Sequence, residues 1–330
     1  MDGPWRVAAH KGRDYAAVST TVALDDLVGP NGERDRGYWA EAWFELRHDW
    51  TAMVGLALVV ALVLLAVLAP ELAPHNPTFQ FFQGLTPDGS PLRPGSHSFP
   101  LGTDGLGRDE LSRLLYGARV SLSVGVLANL LAAGLGIFFG GIAGMSRSWL
   151  QSVIMRAVDV VISFPVLLLA IALLSVTHPS VTTITVIIGV SFGAYLSRLV
   201  FTQVVSLRER DFVTAARTVG TRTPWILFRH VIPHVVPSVI VYSTLGVATA
   251  IQLEAALSYV GIGIQPPNPS WGNMISDGQA YLSSDPWLVI LPGVSIMIAM
   301  FGFSLLGDGL RDALDPTLER RTRLILAGVR

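Results

Sequence analysis

The sequence predicts an all-α polytopic membrane protein with six transmembrane helices. Three observations carry this. Only 14% of the 330 residues are charged and 51% are hydrophobic, against about 25% charged in a soluble globular domain. Mean hydropathy is +0.52. Six segments are long and apolar enough to cross a hydrocarbon core of about 30 Å, which takes about 20 residues of helix. Residues 51–70 and 120–146 contain no charged residue. A third segment runs over 157–177 with Asp159 near its start, and a fourth over 179–207, interrupted only by Arg198. The fifth, 235–262, carries Glu254, and the sixth covers 287–307. Buried core helices of soluble domains are shorter and alternate with amphipathic ones, so they fit these runs poorly.

Composition also excludes function classes. No cysteine is present, which removes disulfides, thiolate zinc sites and thiol catalysis. A net charge of −1 lacks the basic footprint of nucleic-acid binding. The first fifty residues are polar and mixed in charge, without the apolar core of a cleaved secretory signal. A phosphate-binding loop of the Gly-x4-Gly-Lys-Ser/Thr type needs a lysine; the sole lysine, Lys11, lies between His10 and Gly12. No Ser/His/Asp grouping and no carboxylate pair stands in a polar segment, so no catalytic residue is assigned. His230 and His234 are four apart, but Pro233 interrupts them and no glutamate lies between; no metal site is assigned.

Arginine placement sets the orientation. Basic residues crowd the N-terminal segment, the connection holding Arg147 and Arg156, the connection from Arg208 to Arg229, and the tail after Arg311. The connection 263–286 has none. Both termini are therefore expected in the cytoplasm. The loop 71–119, with Arg93, Arg108, Arg113 and Arg119, is the exception to the charge rule and is expected outside. Trp50 and Trp287 fall at span ends, where amphipathic rings favour the interface. Ala132, Gly136, Gly140 and Gly144 repeat at intervals of four, which lets helix backbones approach; packing within the chain and a subunit seam both fit. Asp159, Arg198, Gln252 and Glu254 are polar groups in or near spans, where ionisable side chains are costly and are functional candidates. Gln252 and Glu254 are candidates to line a pathway.

The connection 208–234 is longer than two spans require. Phe212, Ala215, Ala216 and Val219 recur at helical spacing, Gly220 follows as a helix-terminating glycine, and Thr223 and Pro224 suit the cap and first position of a second helix. Two short helices meeting at a glycine are predicted. The residues alone leave two uses open, a docking element or an amphipathic helix on the membrane surface.

Ala215-Ala216, then Gly220, then Ile232-Pro233 resembles the loop signature of ABC importer permeases. Thr214 stands where that family has glutamate, and His230 where it has isoleucine. Residues 100–122, 155–165, 257–274 and 305–316 are similar to segments of dipeptide and oligopeptide permeases of the C type. The resemblance covers about 98–316. It implies the type I ABC importer transmembrane fold, with a cytoplasmic extension over 1–46, a first helix at 47–72, an external loop at 73–115, the transmembrane domain at 116–310 and a cytoplasmic tail at 311–330. It implies coupling helices at about 208–234, with ATPase docking by Asp211, Ala215, Ala216, Arg217, Gly220 and Arg222. It further implies a second permease subunit, two cytoplasmic ATPase subunits that bind ATP and magnesium, an extracytoplasmic substrate-binding protein, and a bacterial inner-membrane location among lipids. No cofactor belongs to this chain. Peptide is the implied substrate; nickel and glutathione importers belong to the same branch. An ion-driven secondary transporter is the competing class. It would show inverted repeats and broken helices carrying ion ligands, and no clear internal repeat is present.

Overall fold

A computed structural model describes residues 38–314 except His97. Residues 1–37 and 315–330 lie outside the described part, and with them Lys11, most of the N-terminal extension and most of the tail. The chain divides after Glu41; of the first unit only Tyr38–Glu41, the first turn of helix α1, is described.

Every regular element among the described residues is helical. Helix α1 spans Tyr38–His48 and α2 spans Trp50–Val67. Asp49 caps α2 by accepting from the Thr51 amide at 2.9 Å. A one-turn helix at Ala69–Leu72 follows, with Pro70 in its first turn. A long irregular loop then leads to α3, Glu110–Met145. After it come α4, Ser148–Ser163, and α5, Val166–Leu174. Helix α6 is Val181–Arg208, α7 is Asp211–Thr218, and α8 is Thr223–Tyr259. Helix α9, Trp271–Gly278, precedes α10, Trp287–Ala313.

Among the described residues, five helices are long and apolar enough to cross a membrane: α2, α3, α6, α8 and α10. The expected third span is not one rod. It is α4 and α5, bent by 83° across Phe164 and Pro165. Proline removes a backbone donor and biases the preceding residue away from helix, which breaks the ladder there. Counting the bent pair as one span gives six. The second and fifth spans begin earlier than hydropathy places them, because α3 starts at Glu110 and α8 at Thr223. Both are also loosened internally by a π turn, at Gly136–Gly140 in α3 and Leu227–Val231 in α8.

Lipid tails are as apolar as leucine, so helices in a bilayer associate through close packing and internal hydrogen bonds. The small residues of α3 serve that purpose inside the chain. A Cβ on Gly136 would lie 2.7 Å from the Leu196 Cβ, and one on Gly140 would lie 2.4 Å from the Ser197 carbonyl. The four-residue repeat is thus the seam between α3 and α6. The three largest apolar clusters among the described residues join these helices. One joins α2, α3, α8, α9 and α10 around Leu62, Leu122, Ile251, Trp271 and Phe303. A second joins α3, α5, α6 and α8 around Val124, Leu174, Ile188 and Leu257. The third, at the end of the bundle that carries α7, holds Val204, Val213, Ile226 and Val235.

Candidate functional site

Helix α7 is the first candidate. Arg210 precedes it in extended backbone, and Asp211 sits in its first turn, where a carboxylate complements the helix dipole. Its other end closes in a Schellman motif. The Gly220 amide donates to the Arg217 carbonyl at 2.9 Å, and the Thr221 amide donates to the Ala216 carbonyl at 3.1 Å. Gly220 takes φ +81°, a left-handed conformation that glycine reaches without steric cost. The predicted glycine stop is therefore real.

Two local expectations need correction. Thr223 does not cap: its side chain makes no cap bond and it is the first residue of α8, with Pro224 beside it. The second "short helix" is the first turns of α8 itself, which continues unbroken through the π turn to Tyr259. The apolar stripe is also divided. Val213 is fully buried and Ala216 half-buried against the third cluster. Phe212, Ala215 and Val219 are exposed, Val219 at 83%. Val213 is the anchor that a count of every third or fourth residue overlooks.

Asp211, Arg217 and Arg222 are exposed. Arg217 and Arg222 form no ion pair among the described residues. Trp225 and Phe228, on the first turns of α8, add exposed apolar area. The elbow is held from behind: Arg208 donates to the Gly144 carbonyl at 3.0 Å, and the Phe212 ring stacks on His234 at 5.4 Å. His234 Nδ1 donates to the His230 carbonyl at 2.7 Å. No group of three or more metal-ligating side chains is found among the described residues.

Gln252 and Glu254 lie on opposite sides of α8. Gln252 is exposed; Glu254 is fully buried. The Glu254 carboxylate accepts from Ser121 Oγ of α3 at 2.8 Å and from Ser258 Oγ of α8 at 2.8 Å. Each serine in turn accepts a backbone amide from the connection that holds α9. Trp271 N donates to Ser121 at 3.3 Å, and Ile264 N donates to Ser258 at 3.0 Å. The Trp271 indole donates to the Leu114 carbonyl at 3.1 Å. One carboxylate thus ties α3, α8 and the start of α9 together.

The far end of α9 is pinned by a second polar cluster. Arg108 Nε meets Asp104 at 2.5 Å, and Arg113 Nε meets the same oxygen at 3.2 Å. Both guanidiniums also reach Asp277 of α9, at 3.2 and 3.3 Å. Arg108, Arg113 and Asp104 are buried. The loop before α3 is therefore not a loose tether: Arg108 and Arg113 are fixed in this cluster, whereas Arg93 and Arg119 are exposed. Sequence reading does not find Ser121, Trp271 or Asp277 as partners, because none has a periodic or motif signal of its own.

Residues 136–320 match the family described as binding-protein-dependent transport system inner membrane component. Residues 37–87 match the N-terminal transmembrane domain of oligopeptide transport permease C. A dipeptide transport system permease protein of Alkalihalophilus pseudofirmus is 39% identical over 85% of this chain and 90% of its own length. An oligopeptide transport system permease protein of Bacillus subtilis is 38% identical over 86% of this chain and 90% of its own. A glutathione transport system permease protein of Escherichia coli is 36% identical over 90% of this chain and 97% of its own. Among solved structures, a chain of the MetNI methionine ABC transporter in an inward-facing conformation superposes with a TM-score of 0.52 at 17% identity, covering 62% of this chain and 97% of that one; that likeness concerns the fold alone. The chain belongs to the inner-membrane permease family of binding-protein-dependent ABC transport systems.

Proposed function

We propose that this chain is one of two membrane subunits forming the route by which di- and oligopeptides enter a bacterial cell, driven by separate ATPase subunits. The observation that carries the reading is the α7 elbow: an exposed apolar face on Ala215 and Val219, closed by Gly220 and anchored through Val213. Such a face, set between two spans, suits a groove on an ATPase better than a lipid surface, because its anchor ties it to α6 and α8. Nucleotide binding would move the elbow with its ATPase, and α6 and α8 would follow as a two-state element. Asp211, Arg217 and Arg222 would lie at the rim, where exposed ion pairs are worth about 0–1 kcal/mol each. ATP and magnesium would bind the partner chains.

The arginine-rich ends would face the cytoplasm, together with both termini, and the α9 side would meet an extracytoplasmic substrate-binding protein. Gln252, exposed on α8, would stand on the pathway. The peptide assignment rests on the dipeptide and oligopeptide relatives. The glutathione relative supports a second reading, a permease for that modified tripeptide.

The test is uptake by the reconstituted complex of labelled di- and oligopeptides, with glutathione and nickel as competitors. Co-purification of an ATPase and loss of uptake in Gly220→Trp are expected. A purified chain that accumulates solute from a proton or sodium gradient alone overturns the proposal.

A further inference from the structure

The exposed faces of the spanning helices are not alike. On α10 the exposed positions include Ile290, Val294, Met297 and Phe301, a stripe suited to lipid. On α6 the exposed positions Tyr195, Arg198, Thr202 and Ser206 follow one another at spacings of three and four. All four are polar and share one helix face. Helix α4 has the same arrangement: Ser152, Arg156, Asp159 and Ser163 are all exposed, again at spacings of four and three. The two stripes meet where Arg198 Nη1 pairs with Asp159 Oδ1.

This ion pair is deep. Arg198 lies ten residues before the end of α6 at Arg208, about 15 Å along the axis at 1.5 Å per residue. Asp159 lies eleven residues into α4 from Ser148, about 16 Å. Both charges therefore lie about three turns inside segments long and apolar enough to count as spans. Yet the side chains are 60% and 48% exposed. Ionised groups at that depth face a protein interior or a water-filled space, not acyl chains. Tyr195 also lines a cavity of about 370 Å³ between α3, α6 and α8, in which Asn129, Tyr242 and Thr249 stand beside Phe192, Leu196 and Leu199.

We propose that the α4–α6 face is a water-filled wall of the transport route, and that Arg198 and Asp159 form a station within the spanning segments that exchanges its own ion pair for the carboxylate and ammonium of a zwitterionic solute. A pair of opposite charges suits a solute bearing both, and its internal salt bridge keeps each charge satisfied when the route is empty. The inference rests on the permease reading above and adds to it the solute-facing residues and their chemistry.

The absence of cysteine provides a clean background for the test. Thr202→Cys, with Ser206→Cys as a second site, is placed in the full complex in proteoliposomes and treated on both faces with a membrane-impermeant cationic methanethiosulfonate. Met297→Cys on α10 is the lipid-facing control. Modification of the α6 cysteines at least tenfold faster than the α10 cysteine is expected in complexes that retain dipeptide uptake. Equal rates overturn the proposal, as does a complex in which the second membrane subunit shields both α6 sites. In Arg198→Gln and Asp159→Asn, uptake of a dipeptide with free termini is expected to fall at least tenfold while ATP hydrolysis continues, with partial recovery in the exchanged pair Arg198→Asp/Asp159→Arg. Unchanged uptake in both single variants overturns it. A wild-type complex that takes up no peptide would instead remove the permease reading for peptides, before any variant is compared.

Discussion

At the end of the bundle that carries α9, polar side chains are sealed inside. Arg108, Arg113 and Asp104 are buried, and Glu254 is fully so, each with charged or hydroxyl partners. At the end that carries α7, the arrangement is reversed: apolar Ala215, Val219 and Trp225 are exposed, and the charges around them are exposed as well. These groups at the α9 end hold one another through several ion pairs, with Arg113 Nη1 left over, and removing a partner from such a buried cluster is costly, so the α9 end resists rearrangement. The α7 elbow rests on one fully buried valine, a backbone turn and a few contacts behind it, none of them a buried charge. The contrast teaches where motion can be transmitted. The α9 end holds its shape against neighbours in the same chain, whereas the α7 end leaves its apolar surface for another.

The comparison is broken most severely at Arg113. Replacing it by leucine leaves Asp104 and Asp277 facing Arg108 alone, with a buried cavity beside them. Removing one partner of a buried ion cluster costs about 3–5 kcal/mol. The expected outcome is a large drop in the melting temperature of the solubilised complex, with the ATPase still bound. A melting temperature equal to wild type would mean that the α9 end is not the fixed one.

Glu254→Leu is expected to rank second. It removes the acceptor for Ser121 and Ser258, at about 1–2 kcal/mol for each hydrogen bond lost inside the membrane. Glu254→Gln keeps one carbonyl acceptor and should lose less. Faster hydrogen exchange at Trp271 and Ile264, whose amides donate to the two serines, would locate the damage at the start of α9. Exchange there that matches wild type in Glu254→Leu would dissociate the carboxylate from the clamp.

How far the sequence reveals these two ends differs for a physical reason. The α7 turn is local: Gly220 follows a helical run and the bonds that close it join residues three and five apart, so spacing is enough to find it. The Arg108–Arg113 cluster is non-local. Arg113 and Asp277 are brought together only when α9 folds back onto α3, and hydropathy places all of 263–286 in a featureless connection. The spans themselves are legible because length and apolarity decide them. The break at Phe164–Pro165 is foreshadowed by the proline, but its angle of 83° depends on packing against α6. Depth alone marks Asp159, Arg198 and Glu254 as candidates. Only the fold separates the buried Glu254, which stitches helices, from the exposed pair.

Gly220→Ala sharpens the comparison from the other side. A Cβ there meets nothing within 4 Å, so the cost is conformational, about 1 kcal/mol for an L-residue held in left-handed backbone. The turn should persist at that cost. Uptake is expected to remain while Ala215→Trp, which adds bulk without backbone strain on the exposed side, abolishes it at nearly unchanged melting temperature. If Ala215→Trp transports normally, the α7 surface is not the one that meets the ATPase.

The smallest effect is expected at Asp49, which caps α2. The Thr51 hydroxyl and amide both donate to its carboxylate, at 2.7 and 2.9 Å, and they hold its pKa below the usual carboxylate value. A depressed folded-state pKa means that the stabilisation is complete above the unfolded value of about 3.9 and is lost as pH falls through the folded-state value. Asp49→Ala should cost about 1 kcal/mol at neutral pH. Asp49→Asn retains a capping oxygen but has no charge to titrate, so any wild-type advantage over it at pH 7 should shrink on acidification below about pH 4. An advantage that is flat with pH would show that the hydroxyl–carboxylate contact contributes nothing through charge. Because Asp49 is solvent-accessible, unlike Arg113 and Glu254, salt should weaken its effect and leave theirs nearly intact.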